Sequence, residues 1–227
     1  MRKVLFLLIL SSITLSSSAS FTKKIWVAEK ISLQLNDQFT LKSEFAQRWQ
    51  NTTDGQPAAG GINEWEECFA ELGIDYKIND RWVANFTYRH IESKVKTPLY
   101  DVENRFFGAI EYKFKLWGMH WGLRTRLATR LFDSSKTKYR FTETFRFDIP
   151  IGVKINSRAI KYFFYDEVHV DLNKGGFNNN EIRTGLNLPI TSNLGIDLYY
   201  GNEYRKRFTN GDYNIHNLIG LEVGYKF

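Results

Sequence analysis

The chain has 227 residues, of which 16% are aromatic and 25% are charged, and it carries a formal net charge of +6. This length suits one domain, and the basic residues are spread along the chain, which gives no support for nucleic-acid binding. The single cysteine, Cys68, excludes an intramolecular disulfide.

The N-terminal segment has the features of a secretory signal peptide. Arg2 and Lys3 precede an interrupted apolar run over residues 4–15, which leads into a stretch of Ser and Ala. The run falls short of the roughly 20 apolar residues that a membrane-spanning helix needs. We therefore expect cleavage of residues 1–20 and one exported domain over residues 21–227.

Polar and apolar residues alternate with a period of two in eleven segments. This pattern is typical of a strand with one apolar face, and most segments match the roughly 9 to 11 residues of a tilted membrane-spanning strand. Because bacterial single-chain barrels normally have an even number of strands, we expect ten or twelve. The segments are residues 25–35, 39–50, 65–76, 81–91, 105–116, 119–131, 138–151, 159–172, 181–188, 194–204 and 215–227.

The last segment resembles the sorting signal of Gram-negative outer-membrane barrels, which ends on an aromatic residue. Its apolar face comprises Ile219, Leu221, Val223, Tyr225 and Phe227. Together with the signal peptide, this ending predicts an all-β fold: a transmembrane antiparallel up-and-down barrel in the outer membrane, monomeric, contacting lipid and inserted by the barrel insertion machinery. A soluble periplasmic β-barrel or sandwich, with the apolar face turned inward, remains an alternative.

The opposite faces of the strands carry charges of both signs. Arginine and carboxylate side chains that face each other across a narrow lumen can form charge-assisted, often bidentate pairs. We therefore predict a structural barrel closed by its own ion pairs. The alternative is a passive channel in which Arg124, Arg126 and Arg130 attract small anionic solutes. The candidate lumen network consists of Arg124, Arg126, Arg130, Arg146, Glu167, Glu181, Arg183 and Glu203.

Three carboxylates, Glu29, Glu143 and Asp166, break the apolar pattern of the outward faces. Acidic side chains are costly near the middle of a bilayer and much less costly near its surfaces. We expect these residues above the hydrocarbon region, unless a bulge turns one of them inward.

Hydrolytic activity is the main rival hypothesis. Outer-membrane barrel enzymes that act on lipids carry a His and a Ser two residues apart on one strand face, and no His-x-Ser occurs here. Glu167, His169 and Asp171 form the one acid and histidine cluster on a single face, which could orient a base or bind a metal. A hydrogen-bonded trio in the lumen explains the cluster as well. We therefore predict no catalytic residue, metal or cofactor, and keep a lipid- or peptide-hydrolysing enzyme as the alternative.

The C-terminal half resembles an uncharacterised bacterial family. The residues concerned are Tyr165-Asp-Glu-Val-His169, then Phe177-Asn-Asn-Asn-Glu-Ile-Arg-Thr-Gly185, within residues 124–227. The family comprises outer-membrane barrels of about this size and is known only as a domain of unknown function. Where its members have Phe-Asp-x-Asn before the Arg, this chain has Asn at the second position. The resemblance implies the fold and the location but no activity.

Overall fold

Eleven long strands form one closed sheet in the described part of the chain. The structure, a computed structural model, describes residues 22–50, 52–53, 56–57, 64–96, 99–133, 135–174, 176–206 and 213–227. The predicted signal peptide lies outside these residues. The strands are β1 (Thr22–Gln34), β2 (Phe39–Gln50), β3 (Glu64–Lys77), β4 (Trp82–Lys96), β5 (Leu99–Leu116), β6 (Met119–Phe132), β7 (Lys138–Ile155), β8 (Arg158–Asp171), β9 (Gly176–Pro189), β10 (Leu194–Lys206) and β11 (Tyr213–Lys226). A minor ladder joins Thr52–Thr53 to Gln56–Pro57, and a 3-10 turn covers Leu172–Lys174.

The barrel closes through a parallel strand pair. Each strand is antiparallel to the next one in the chain, whereas β1 and β11 pair in parallel, with Thr22 opposite His216 and Ser32 opposite Lys226. The predicted all-β barrel is confirmed, but the expected ten or twelve strands are wrong. With an odd number of antiparallel strands, the first and last run in the same direction, so the sheet can close only through a parallel pair.

The barrel has an upper rim, where β1 begins, and a lower rim, where β1 ends. Two lower-rim hairpins have two-residue turns, at Trp117-Gly118 and at Asn156-Ser157. Their φ angles are all positive, at 53° and 75° in the first turn and 48° and 66° in the second. Positive φ at both central residues is the requirement of a type I′ turn, whose twist matches that of the flanking strands. These turns set the register of β5 with β6 and of β7 with β8.

At the upper rim, two strand pairs extend further than the alternation predicts. The sequence suggests a loop over residues 92–104, yet Glu92 lies opposite Val102 in the ladder between β4 and β5. In the same way, β9 begins at Gly176, inside a segment that has the composition of a loop. Backbone pairing therefore continues through polar segments that lack an apolar face.

The sheet is apolar outside and mostly charged inside. Large apolar side chains, among them Leu72, Phe86, Leu127 and Ile219, are exposed on the outer surface. The interior contains a small cluster of buried apolar side chains, Trp26, Ala28, Ala46, Phe69, Ile91, Phe163, Tyr199 and Leu218. No helix in the described part of the chain is long and apolar enough to cross a membrane.

Glycines shape one part of the inner wall, where Tyr199 packs against the sheet. A Cβ atom added at Gly220 would lie 2.0 Å from Cζ of the Tyr199 ring. A Cβ atom at Gly185 would lie 2.1 Å from the carbonyl oxygen of Leu198 and 2.7 Å from Cβ of Tyr199. The missing side chains allow the tyrosine ring to lie against the wall, with its hydroxyl 3.1 Å from Glu222 Oε1.

Candidate functional site: a charged lumen

The lumen contains a cavity of about 1050 Å³ that is lined by residues from all eleven strands. The period-two alternation of each strand directs every second side chain into it. The predicted network residues Arg124, Arg126, Arg130, Arg146, Glu167, Glu181, Arg183 and Glu203 all line this cavity. Acidic and basic side chains thus line the same cavity.

Only two of the three arginines on β6 are neutralised by a carboxylate. Arg126 Nη2 lies 3.2 Å from Glu167 Oε2, and Arg130 donates from Nε and Nη2 to the two carboxylate oxygens of Glu103 at 2.7 and 2.8 Å. Arg124 instead donates to the amide oxygen of Asn85 at 3.2 Å, and no described carboxylate forms an ion pair with it. The three arginines therefore do not form a continuous path of free positive charge.

The remaining predicted network residues also form pairs inside the lumen. Arg146 Nη2 lies 2.9 Å from Asp148 Oδ1. Arg183 contacts Glu181 on its own strand and Glu222 of β11, the latter at 3.1 Å. Such pairs neutralise the charges that the alternation directs into the barrel.

The structure separates the predicted trio of Glu167, His169 and Asp171. His169 Nε2 is 3.1 Å from Glu167 Oε1, but Asp171 accepts a hydrogen bond of 2.7 Å from Arg140 Nε, which lies opposite it on β7. Asp171 also accepts a hydrogen bond of 2.6 Å from Asn178 Nδ2 on β9, so its closest partners lie on the two neighbouring strands and not two residues along its own strand. No group of three or more His, Cys, Asp or Glu among the described residues is placed to hold a metal ion.

Thr142, which the sequence did not single out, completes a different arrangement. Its Oγ1 atom is 3.0 Å from His169 Nδ1, so that a hydroxyl, an imidazole and the Glu167 carboxylate follow one another. This order is that of a nucleophile, its base and an orienting acid. However, the Thr142 side chain is 0% exposed and does not line the cavity. A substrate therefore has no route to this hydroxyl.

Alternation in the sequence also did not predict a second cluster, a group of ion-paired side chains near the upper rim. Lys24 Nζ, at the start of β1, lies 2.8 Å from Glu66 Oε1 and 3.1 Å from Glu203 Oε2. Lys24 precedes the first clear alternation, and Glu66 lies at an irregularity in the β2–β3 ladder, opposite Arg48 and Trp49. A bulge shifts the facing of the residues beyond it, so period-two counting misassigns them.

The sequence model of a family described as "Protein of unknown function (DUF2490)" matches residues 23–214. The chain belongs to the DUF2490 family. This confirms the resemblance to an uncharacterised family. No curated protein matches this DUF2490 member. Among solved structures, LpxR from Salmonella typhimurium is similar with a TM-score of 0.48 and 13% sequence identity, over 82% of this chain and 83% of that chain. At these values the likeness says nothing about activity.

In the lumen of this DUF2490 member, the ion-paired lysine near the upper rim is more deeply buried than the one near the lower rim. The side chain of Lys24 is 1% exposed, whereas that of Lys42, near the lower end of β2, is 45% exposed. Aromatic rings fill the middle, where the guanidinium of Arg89 lies 4.0 Å from the ring centre of Phe69 and that of Arg126 lies 5.0 Å from Phe107. The cavity extends from Arg48 and Glu203 near the upper rim to Lys42 and His120 near the lower rim.

The three outward carboxylates stay on the outer surface of the DUF2490 barrel. Glu143 accepts hydrogen bonds from Thr125 at 2.9 and 3.1 Å, and Asp166 accepts one of 2.5 Å from Asn180. Glu29 is exposed on β1. Two of the three thus have a neutral polar neighbour that satisfies part of their hydrogen-bonding capacity.

Proposed function

We propose that this protein is an integral outer-membrane barrel of a Gram-negative bacterium, closed by its own ion pairs and structural rather than conductive in its role. The proposal rests on the inverted distribution of polarity. Phe86, Leu127 and Ile219 are 58%, 58% and 61% exposed on the outer surface, while the charged side chains face the lumen. Transmembrane barrels have this distribution, since their outer face meets lipid and their interior is polar.

A soluble periplasmic binding barrel is disfavoured by the same observation, because it would expose a continuous apolar belt to water. Membrane fractionation tests the location. We expect the protein in the outer-membrane fraction, with a migration on gels that changes on heating. We also expect it to be a lipid-embedded monomer that the barrel insertion machinery has inserted. Recovery in the soluble periplasmic fraction would contradict the proposal.

A lumen closed by ion pairs, as proposed, should be electrically silent in planar bilayers. Purified protein should insert without steady current steps, because paired charges and aromatic rings project into the lumen along its height. The Phe107→Ala variant removes a ring that is buried in the lumen, and we expect it to produce intermittent conductance. Steady, ion-selective steps from the unaltered protein would instead establish a passive channel.

The control for this experiment is Phe106→Ala. Phe106 is the next residue on β5, but it lies on the outer face, where its ring contacts that of Tyr88 with centroids 5.0 Å apart. Its truncation should leave the bilayer silent. Equal conductance from both variants would indicate general loosening of the barrel rather than an opened lumen.

Hydrolysis is the second candidate function, favoured by the contacts of His169 with Thr142 and Glu167. It is tested by turnover of labelled outer-membrane lipids and of peptides by the unaltered protein, His169→Ala and Thr142→Val. We expect no turnover from any of the three, because the hydroxyl is enclosed. Turnover that falls by about a hundredfold or more on loss of the imidazole, the usual contribution of a general base, would replace the structural role with an enzymatic one.

A further inference from the structure

The hairpin of β7 and β8 extends below the part of the wall that β6 covers. The lowest pair between β6 and β7 joins His120 to Asp148, whereas β7 continues to Ile155 and pairs there with Arg158 of β8. In the described sheet, residues 149–155 therefore have a partner strand on one side only. This part of the hairpin stands at the lower rim with a free edge.

The hairpin also continues the apolar outer face of the barrel. On that face, the rings of Phe147 and Phe164 stack with centroids 5.4 Å apart. Further along β7, the side chains of Ile151 and Val153 are exposed. Both lie in an irregularity of the ladder between β7 and β8 that contains Gly152, whose φ angle is 86°. Apolar surface thus extends below the stacked rings.

The free edge of β7 is protected against pairing with another strand. Pro150 has no backbone N–H group, the irregularity at Gly152 interrupts the extended backbone, and Lys154 adds a charge. Proline, bulges and lysine are the features with which natural proteins protect edge strands from further pairing. A protein partner that adds a strand to this edge is therefore disfavoured, although the apolar side chains of the hairpin stay exposed.

The hairpin is basic as well as apolar. Residues 149–165 contain no Asp or Glu, and no described carboxylate forms an ion pair with Lys154 or Arg158. The one hydrogen bond of Arg158 to a described residue is long, at 3.5 Å from Nη1 to the carbonyl oxygen of Asn156. Arg158 shares the outer face with Ile155, its partner in the ladder, while Lys154 lies on the other face at the free edge. Both cations are therefore available to an anionic group.

We propose, on the basis of the membrane location proposed above, that this hairpin binds an anionic phospholipid in the leaflet at the lower rim. The acyl chains lie against Phe164, Ile151 and Val153. The phosphate accepts hydrogen bonds from the guanidinium of Arg158, whose planar fork suits phosphate oxygens. Lys154 reaches the same headgroup past the free edge, because its long stem can lie along apolar surface while its ammonium stays in the polar layer. Basic side chains next to a membrane attract anionic lipids.

Native mass spectrometry of the full protein in detergent micelles tests this site. The micelles contain phosphatidylglycerol and phosphatidylcholine in equal amounts and with the same acyl chains. We expect the unaltered protein to retain at least about fivefold more phosphatidylglycerol, because even one basic side chain near an anionic lipid surface contributes about that factor. Equal retention of the two lipids would overturn the proposal, and this comparison does not depend on the folding of a variant.

Replacement of the two cations tests which residues select the lipid. The double variant Lys154→Gln with Arg158→Gln should retain both lipids about equally. The control is Lys77→Gln with Arg81→Gln, which removes the same charge from the turn between β3 and β4 at the same rim and should keep the selectivity. If the hairpin variant keeps the selectivity, the site is assigned wrongly. If the control loses it to the same extent, the net charge of the rim attracts the lipid and the proposal fails.

A soluble headgroup distinguishes a lipid site from a site for a free phosphate compound. Glycerophosphoglycerol carries the phosphodiester of phosphatidylglycerol without acyl chains, so it lacks the apolar contacts. We expect it to displace the bound lipid at least tenfold less well than short-chain phosphatidylglycerol does. Equal displacement would overturn the assignment to a lipid. These measurements are made in micelles, whereas fractionation tests the location of the protein, so a failure of one proposal is distinguishable from a failure of the other.

Discussion

Gly185→Ala is expected to lower the free energy of unfolding by about 3 kcal/mol, at the upper end of the usual cost of overpacking. The added Cβ would lie 2.1 Å from the carbonyl oxygen of Leu198. That oxygen belongs to the backbone of the neighbouring strand, so it cannot move aside without disturbing the ladder between β9 and β10. Tyr199, whose Cβ is 2.7 Å from the same position, would have to shift as well.

Urea-induced unfolding in detergent micelles or lipid vesicles measures this change. The control is Gly195→Ala on β10, where the nearest atoms to an added Cβ, Asn187 Nδ2 and Leu188 O, are both 3.9 Å away. We expect the control to unfold within about 0.5 kcal/mol of the unaltered protein, as substitutions away from special features usually do. Equal destabilisation by both variants would show that the close approach of β10 does not determine the cost.

Lys24→Met is expected to destabilise the barrel by about 3 to 5 kcal/mol, the usual result of removing one partner of a buried ion pair. The ammonium of Lys24 neutralises both Glu66 and Glu203, at 2.8 and 3.1 Å. Methionine has a similar length but no charge, so Glu66 would lose its shortest ion pair, and Glu203 would keep only its pairs with Arg205 and Arg48. The loss should be smaller in the double variant Lys24→Met with Glu203→Gln, because that variant leaves fewer charges unpaired.

The same unfolding experiment on Lys77→Met is the control. Lys77 forms an ion pair with Asp80 at the lower rim, with Nζ 2.7 Å from Oδ1, and the Asp80 side chain is almost fully exposed. The hydrogen bond from Lys77 lowers the pKa of the Asp80 carboxyl below its usual value, yet exposed pairs contribute little to stability. We expect no measurable change. A loss as large as that of Lys24→Met would mean that burial is not what makes the Lys24 cluster costly to break.

The features that depend on local alternation could be predicted from the sequence. The positions of the eleven strands and the direction of the charged faces follow from a period of two, which any one strand displays alone. The closure of the sheet does not follow, because it depends on whether β1 and β11 run in the same direction. The eleven alternating segments match the eleven strands of the sheet. The prediction of ten or twelve strands was wrong because it followed the even strand number that is usual in bacterial barrels.

The candidate sites were less accessible to prediction because they depend on register between strands. Thr142 meets His169 only because the two lie opposite each other in the ladder between β7 and β8. Glu66 on β3 contacts Lys24 on β1 over the intervening strand β2, and it lies at an irregularity that period-two counting does not detect. Neither contact leaves a recognisable spacing in the sequence, so no motif search would have found it.

The parallel closure restricts how the chain can be reconnected. In a barrel closed by an antiparallel pair, the ends of the first and last strands lie at the same rim, and a turn of a few residues can join them. Here Thr22 lies at the upper rim and Lys226 at the lower rim. A linker that joins them must run the height of the wall, roughly 35 Å for eleven paired residues at about 3.3 Å each, or about ten residues of extended chain. Circular permutants with shorter linkers should therefore fail to close the sheet.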